Sequence, residues 1–342
     1  MSIFEVKNYV SKLSILDAQY AIKLAKDTFE RELAKNLDLT RVSAPLFVYS
    51  DTGLNDNLSG VERPVSFEVK DTKKYAEIVH SLAKWKRMAL GKYGFAVQKG
   101  LYTDMNAIRR DEVMDNLHSI YVDQWDWEKV ITAEDRNLDY LKETVRKIVK
   151  ALVDTKKIVN QQFPALQMNF KEDVTFITAE ELYQKYPNLS PKERENAICK
   201  EKQLVFLIGI GDKLSNGLPH DLRAPDYDDW QLNGDILVWY EPLQMAVELS
   251  SMGIRVDKES LVSQLQKNNK MERLNFPFHR SILDDSIPLS IGGGIGQSRI
   301  CLVMLEKAHI GEVQASIWKE EDIQALEKQK IISARRNFSF FG

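Results

Sequence analysis

Gly292-Gly293-Gly294-Ile295-Gly296-Gln297-Ser298-Arg299 runs directly into an apolar stretch over 300–305. Glycines at alternate positions 292, 294 and 296 suit a strand on whose bare backbone a flat ligand can lie. Arg299, three residues past the last glycine and on the first turn of a helix, can reach a phosphate or stack on a base. No Lys-Ser/Thr pair closes the stretch, so it is not a phosphate loop. It also opens no strand–helix–strand unit with an acid about 20 residues later, so it is not a dinucleotide fingerprint. Taken alone, it reads more readily as a glycine-rich turn before a core helix.

Outward from this stretch lie strands in one run with helices on their flanks. A helix over 17–37 carries Ala18, Ile22, Ala25, Phe29 and Leu33 on one face. A strand over 39–47 follows, with Pro45 near its end. Then come a polar turn over 51–60, a strand over 65–69, a helix over 74–90, and antiparallel strands over 105–109 and 117–127. Helices over 133–161 and 179–186 look like a flank or an insertion. The pattern resumes with a buried strand over 203–210, a loop over 211–230, and strands over 235–240 and 245–256. The expectation is an α+β fold around a mostly antiparallel sheet flanked by helices. It is expected to form one catalytic domain over 1–342, with a core at about 16–318 and a C-terminal extension over 319–342.

With 342 residues the chain can bury a full core, and its net charge of −3 argues against a general nucleic-acid binder. Two cysteines, Cys199 and Cys301, with no metal-ligand spacing around them, predict neither a disulfide framework nor a zinc site. The N-terminal segment has no uninterrupted apolar core, and the longest apolar run, 204–210, is too short for a bilayer. A cytoplasmic enzyme with no membrane partner is expected.

Several residues can carry chemistry. Arg109 ends a strand and is followed by Arg110-Asp111-Glu112; a guanidinium fork there can bind a phosphate and an attacking carboxylate together. In the string 118–128, strand alternation puts Gln124 and Asp126 on one face and Trp125 and Trp127 on the other. Asp126 is a counter-ion candidate for an α-amino group. Asp235 and Glu248 lie on two strands joined by a short turn. Lys84 and Lys86 are two apart on a helix, so only one is expected to face a site. Taken singly, Arg109, the lysines, Asp235 and Glu248 read as surface charges; the unusual string 123–128 does not.

Together they resemble class II aminoacyl-tRNA synthetases. The helix and Pro-ended strand over 17–47 are similar to the first motif of that superfamily, Arg109 to Glu112 to the second, and Gly292 to Arg299 to the third. The strings Asp56-Asn57-Leu58-Ser59-Gly60, His80-Ser81-Leu82-Ala83-Lys84-Trp85-Lys86-Arg87, Gly100-Leu101-Tyr102-Thr103 and Arg223-Ala224-Pro225-Asp226-Tyr227-Asp228-Asp229-Trp230 resemble one family within it, ammonia-dependent asparagine synthetase. So do 248–255 and 292–299, and the likeness spans about 16–318.

The resemblance implies ATP-dependent conversion of L-aspartate and ammonia to L-asparagine through a β-aspartyl adenylate, releasing AMP and pyrophosphate. It implies that Lys86, Gln124, Asp126, Arg223, Asp228, Ser250 and Ser251 bind aspartate. Arg109, Glu112, Glu248, Gly294, Gly296 and Arg299 are implied for ATP, with Arg299 on the triphosphate or stacked on adenine. Asp235 and Glu248 are implied for Mg2+. Arg109, Lys86 and Asp56 are the expected catalytic residues, Asp56 being the first candidate to accept a proton from ammonium and Asp228 the second. A homodimer is implied, and no nucleic-acid partner, because nothing extra is there to hold a tRNA anticodon. Neither cysteine lies where the best-known glutamine-dependent nucleophile does, so free ammonia is the expected donor. The rival readings are an aspartyl- or asparaginyl-tRNA synthetase and a catalytically dead sensor or scaffold. The sensor predicts erosion of Arg109, Glu248 or Arg299, and all three are present.

Overall fold

The computed structural model describes residues 3–55, 58, 62–329 and 331. Helix α1 (Ile15–Leu37) starts where the Ser14 hydroxyl accepts from the backbone N–H of Asp17, and it ends at Asp38 in the left-handed region. Two short strands follow in place of the single one expected over 39–47: β1 (Leu39–Arg41) and β2 (Phe47–Tyr49), with Pro45 between them. Strands β3 (Ser66–Val69) and β4 (Lys74–Ile78) join β2 in a three-stranded sheet of order β2-β4-β3. The helix expected over 74–90 is therefore wrong in its first part. Residues 74–78 pair on both sides as a strand, and α2 (Ala83–Tyr93) begins only afterwards.

The large sheet takes β5 (Gly100–Ile108) and β6 (Tyr121–Val130) as a long hairpin. Helix α3 (Leu138–Gln162) then crosses one face, and β7 (Thr175–Thr178), α4 (Ala179–Lys185), α5 (Pro191–Lys202) and β8 (Leu204–Ile208) build one edge. Strands β9 (Asp228–Tyr240) and β10 (Met245–Arg255) form a second long hairpin, followed by α6 (Lys258–Lys267) and α7 (Pro277–Leu283). Strand β11 (Ser290–Gly296) leads straight into α8 (Gln297–Met304), and α9 (Glu320–Lys328) lies in the C-terminal segment. The order is β1-β5-β6-β11-β10-β9-β8-β7. Pairing is parallel only at the two ends, β1 with β5 and β7 with β8. This is the α+β, mostly antiparallel architecture expected.

The glycine strand sits fourth, held between β6 and β10, the position a ligand platform needs. Beneath it the core fills the opposite face: Trp125 and Trp127 are fully buried, and Trp125 lies 4.8 Å from Phe29 of α1 between ring centroids. The tryptophans of the 118–128 string thus serve the core, and Gln124 and Asp126 are left to the other side. Among the described residues, no helix is long and apolar enough to cross a membrane.

Candidate active site

Above β6, β11 and β10 lies a cleft of about 340 Å³. Lys86, Arg109, Glu112, Gln124, Asp126, Arg223, Asp228, Glu248, Ser251, Gly294, Gly296 and Arg299 all line it, although they come from six segments far apart in sequence. Asp56 lies outside the described residues. Two expected contacts do not line the cleft. Ser250 stands opposite Ile295 and Ile236, both core residues, one step out of phase with Ser251, while a bulge between Glu248 and Ser250 lets Glu248 share the cleft face. Asp235 is buried behind Arg223, with which it makes an ion pair.

The register gives the glycines at 292 and 294 a second reason beside the expected ligand platform. Gly292 pairs with Glu128 and Gly294 with Asp126 across β6. A Cβ on Gly292 would lie 1.9 Å from Glu128 Oε2 and 2.5 Å from Arg255 Nη2, and one on Gly294 would lie 2.5 Å from Gln124 Oε1. The missing side chains make room for the protein's own polar groups, and these groups form the floor of the cleft.

That floor is a network of buried ions. Lys86 Nζ donates to Asp126 Oδ1 (2.7 Å) and to the carbonyl of Gly293 (3.0 Å). Burial pulls the Lys86 ammonium pKa down, against the pull of Asp126. Lys86 and Asp126, both expected to contact the substrate, thus also contact each other. Arg255 holds Glu128 through Nε and Nη2 (2.9 and 2.7 Å) and also ion-pairs with Asp228. Ser290 Oγ donates to Glu128 at 2.7 Å. Burial pushes the Asp228 carboxyl up, and Arg255 only partly offsets it. Burial also opposes ionisation of Glu128, but Arg255 outweighs it and holds that carboxyl below its ordinary range.

Lys84 faces away, as the two-residue spacing requires. It ion-pairs with buried Asp226 at 3.0 Å, in the loop that carries Arg223. Arg109 sits at the end of β5 with Nη2 at 3.5 Å from the His80 carbonyl, and its buried Nε has no hydrogen-bond partner among the described residues. Arg299 leans on β10, donating to the Glu248 carbonyl at 3.0 Å. Burial raises the Asp235 carboxyl to about 7, and nearby Glu248 adds to this. Asp235 Oδ1 has no partner among the described residues. Both cysteines are buried and free, and burial lifts their thiols to about 12, which suits core packing and not nucleophilic attack.

The sequence reading missed Glu128 and Arg255. Glu128 continues the 124, 126 alternation by one more step, so its face was legible; that it needs a buried arginine was not.

A family model for aspartate–ammonia ligase matches residues 16–330. The chain belongs to the aspartate–ammonia ligase family. The match runs past 318, so α9, expected to lie in an extension of this chain's own, is shared with the family. The chain is similar to the aspartate–ammonia ligase of Clostridium tetani, with 60% identity over 324 residues, covering 94% of this chain and 95% of that protein. It is 54% identical to the enzyme of Lactobacillus johnsonii over 336 residues, covering 97% and 99%. Among solved structures, asparaginyl-tRNA synthetase from Pyrococcus horikoshii, complexed with asparaginyl-adenylate, superposes with a TM-score of 0.62 at 16% identity, over 89% of this chain and 70% of that one. Aspartyl-tRNA synthetase from Entamoeba histolytica gives 0.59 at 15%, over 87% and 57%. At such identities these two establish the fold, that of the class II synthetase catalytic core, and the family membership marks the chain as a ligase.

Proposed function

We propose that this chain makes L-asparagine from L-aspartate, ammonia and ATP through a β-aspartyl adenylate, with AMP and pyrophosphate as the other products. The observation that carries the reading is the convergence of Arg109, Arg223, Arg299 and Lys86 in one cleft, where otherwise two anionic substrates would repel each other. A carboxylate cannot expel its own oxide. Attack of the aspartate β-carboxylate on the α-phosphorus converts that oxygen into part of a good leaving group, AMP, as pyrophosphate departs.

Arg109 is the residue we assign to this step, its guanidinium bridging the α-phosphate and the incoming carboxylate as negative charge grows. Arg299 and Glu112 hold the nucleotide over the Gly294 and Gly296 backbone. Lys86 spends two of its N–H groups on Asp126 and Gly293 and offers the third to a substrate carboxylate. Arg223 and Ser251 complete the aspartate side, with Gln124 and the free lone pairs of Asp126 facing its ammonium. Fixing both substrates makes the reaction effectively unimolecular, worth roughly 7–11 kcal/mol. Ammonia then attacks the acyl carbon and AMP leaves. The proton it must lose goes to a carboxylate; Asp56 is the first candidate and Asp228, buried and raised, the second.

Asp235 and Glu248 fit a magnesium ion: Asp235 Oδ1 is buried without a hydrogen-bond partner among the described residues, and burial together with nearby Glu248 disfavours the charge of Asp235 despite its ion pair with Arg223. Bound there with the nucleotide, the ion would neutralise phosphate charge. We also read the chain as one cytoplasmic catalytic domain that forms a homodimer.

The test is an end-point assay with ATP, Mg2+ and L-aspartate, comparing ammonium with glutamine. Asparagine and AMP in equal amounts with ammonium are expected, and Arg109→Ala should lower the rate at least a hundredfold. Aspartate-dependent ATP–pyrophosphate exchange without asparagine would point to a different acceptor. ADP in place of AMP would overturn the adenylate route.

A further inference from the structure

One end of the cleft is lined by Leu117, His118, Val122 and Ile310, and there a side chain is held with a hydrogen-bond acceptor to spare. Gln314, which follows the 3-10 turn Ile310–Glu312, also lines this end, is 7% exposed, and keeps Oε1 buried without a partner among the described residues. Its Nε2 donates to Ser298 Oγ at 3.0 Å, with Asp123 Oδ1 at 3.4 Å.

Which end of this amide carries the NH2 follows from its neighbours. Asp123 is salt-bridged to Lys26 Nζ at 3.0 Å, so it is an ionised acceptor. The backbone N–H of Ser298 donates to Asp123 Oδ1 at 3.0 Å, and the Ser298 hydroxyl gives its single hydrogen to Asp123 Oδ2 at 2.8 Å. The Ser298 oxygen then has only lone pairs left, and it can take only a donor from Gln314. A flipped amide would set oxygen against oxygen. The chain from Lys26 through Asp123 and Ser298 thus turns the Gln314 carbonyl away from Ser298, where its oxygen is buried and has no partner among the described residues.

We propose that Gln314 is a specificity-determining residue that reads the nucleotide base, its Oε1 accepting a hydrogen bond from the exocyclic amino group of adenine. This rests on the ATP reading above. Guanine and hypoxanthine carry an oxygen at that position, which meets the Gln314 oxygen lone pair to lone pair. A purine with hydrogen there leaves the buried acceptor unpaired. Asp123 acts through Ser298 and Gln314, as a positioning residue. Loss of the donor alone is expected to give discrimination of up to roughly tenfold, and an opposing oxygen more.

The experiment measures binding and turnover of ATP and of purine riboside triphosphate, which lacks only the 6-amino group, on the full chain with Mg2+. Calorimetric titration gives the binding, and asparagine formation the turnover. The wild type should prefer ATP by roughly tenfold. Gln314→Met should lose that preference by binding ATP more weakly while binding the analogue unchanged, with the KM for aspartate unmoved. Asp123→Asn, which releases the Ser298 hydrogen and lets the amide flip, should also narrow the preference. Equal weakening of both nucleotides in Gln314→Met, or no preference in the wild type, would overturn the assignment. A chain that prefers ATP through Gln314 but forms no asparagine would leave the base reader standing and remove the activity reading. One that binds neither nucleotide would remove both.

Discussion

At Gly292 and Gly294 a single methyl group separates folding from function. On Gly292 it would strike Glu128 and Arg255, both buried and locked to each other, at 1.9 and 2.5 Å. Gly292→Ala should therefore break a buried ion set, costing roughly 3–5 kcal/mol. On Gly294 the nearest atom, at 2.5 Å, is Oε1 at the far end of the half-buried Gln124 side chain. Gly294→Ala should cost about 1 kcal/mol but raise the KM for aspartate several-fold. Urea midpoints beside steady-state kinetics check this, and equal losses of stability in the two variants would refute it. His309 offers a test in pH. Its Nδ1 accepts the backbone N–H of Gly311 at 3.0 Å, which requires a neutral ring, and burial lowers its pKa from 6.5 to about 4. The unfolded chain then binds more protons than the folded one between these values. The stabilisation is complete above pH 6.5 and is lost as pH falls through about 4, on the order of 3 kcal/mol in all. Wild type should lose about 2–3 kcal/mol more than His309→Asn between pH 7 and pH 4.5 in urea unfolding; parallel losses would show the ring protonates freely.

Between elements, the clamp that matters is Asp226. One of its oxygens accepts from Arg273 (2.8 Å) and His279 (2.9 Å) and faces Lys84 Nζ at 3.0 Å, joining α2, the turn Met271–Asn275 and α7 to the loop that bears Arg223. Burial works against this carboxylate, but Lys84 and the other cations hold it far below its ordinary range. Asp226→Asn keeps the shape and removes the charge. It should cost about 3 kcal/mol, since three cationic or polar donors lose their common partner. With the loop slackened, the KM for aspartate should rise about tenfold, and the KM for ATP should hold. If both KM values rise together, the loop does not divide the site in this way. The same elements show where the sequence was readable. Long amphipathic segments such as α1 and α3 were legible because their apolar faces repeat over several turns. β4 was not, because five residues of strand running toward a true helix carry too few alternations to reveal the change of period. Lys84 and Lys86 were correctly separated by spacing alone, yet nothing local to Lys84 announces Asp226, 142 positions away.

Across the whole molecule the same limit holds. Most of the cleft was legible because a class II core brings its motifs together wherever the motifs occur. The ion pairs that fill its floor were not, since pairing is decided by register between strands far apart in sequence, and Arg255 meets Glu128 only after β6, β11 and β10 align. The homodimer is the remaining large-scale expectation, and the surface gives it a physical ground. The α1 helix leaves Leu16 and Tyr20, four residues apart on one face, each 61% exposed, and the segment after β1 leaves Leu46 and Phe47 nearly half exposed. A helix and a neighbouring segment are not expected to present a cluster of apolar residues to water unless another surface covers them. Sedimentation equilibrium should return about twice the 39.4 kDa of one chain. Tyr20→Glu with Phe47→Glu should shift it to one chain's mass, because two charges would have to be desolvated in the contact. A wild type that sediments as a single chain at micromolar concentration would remove the dimer and leave those residues as ordinary exposed side chains.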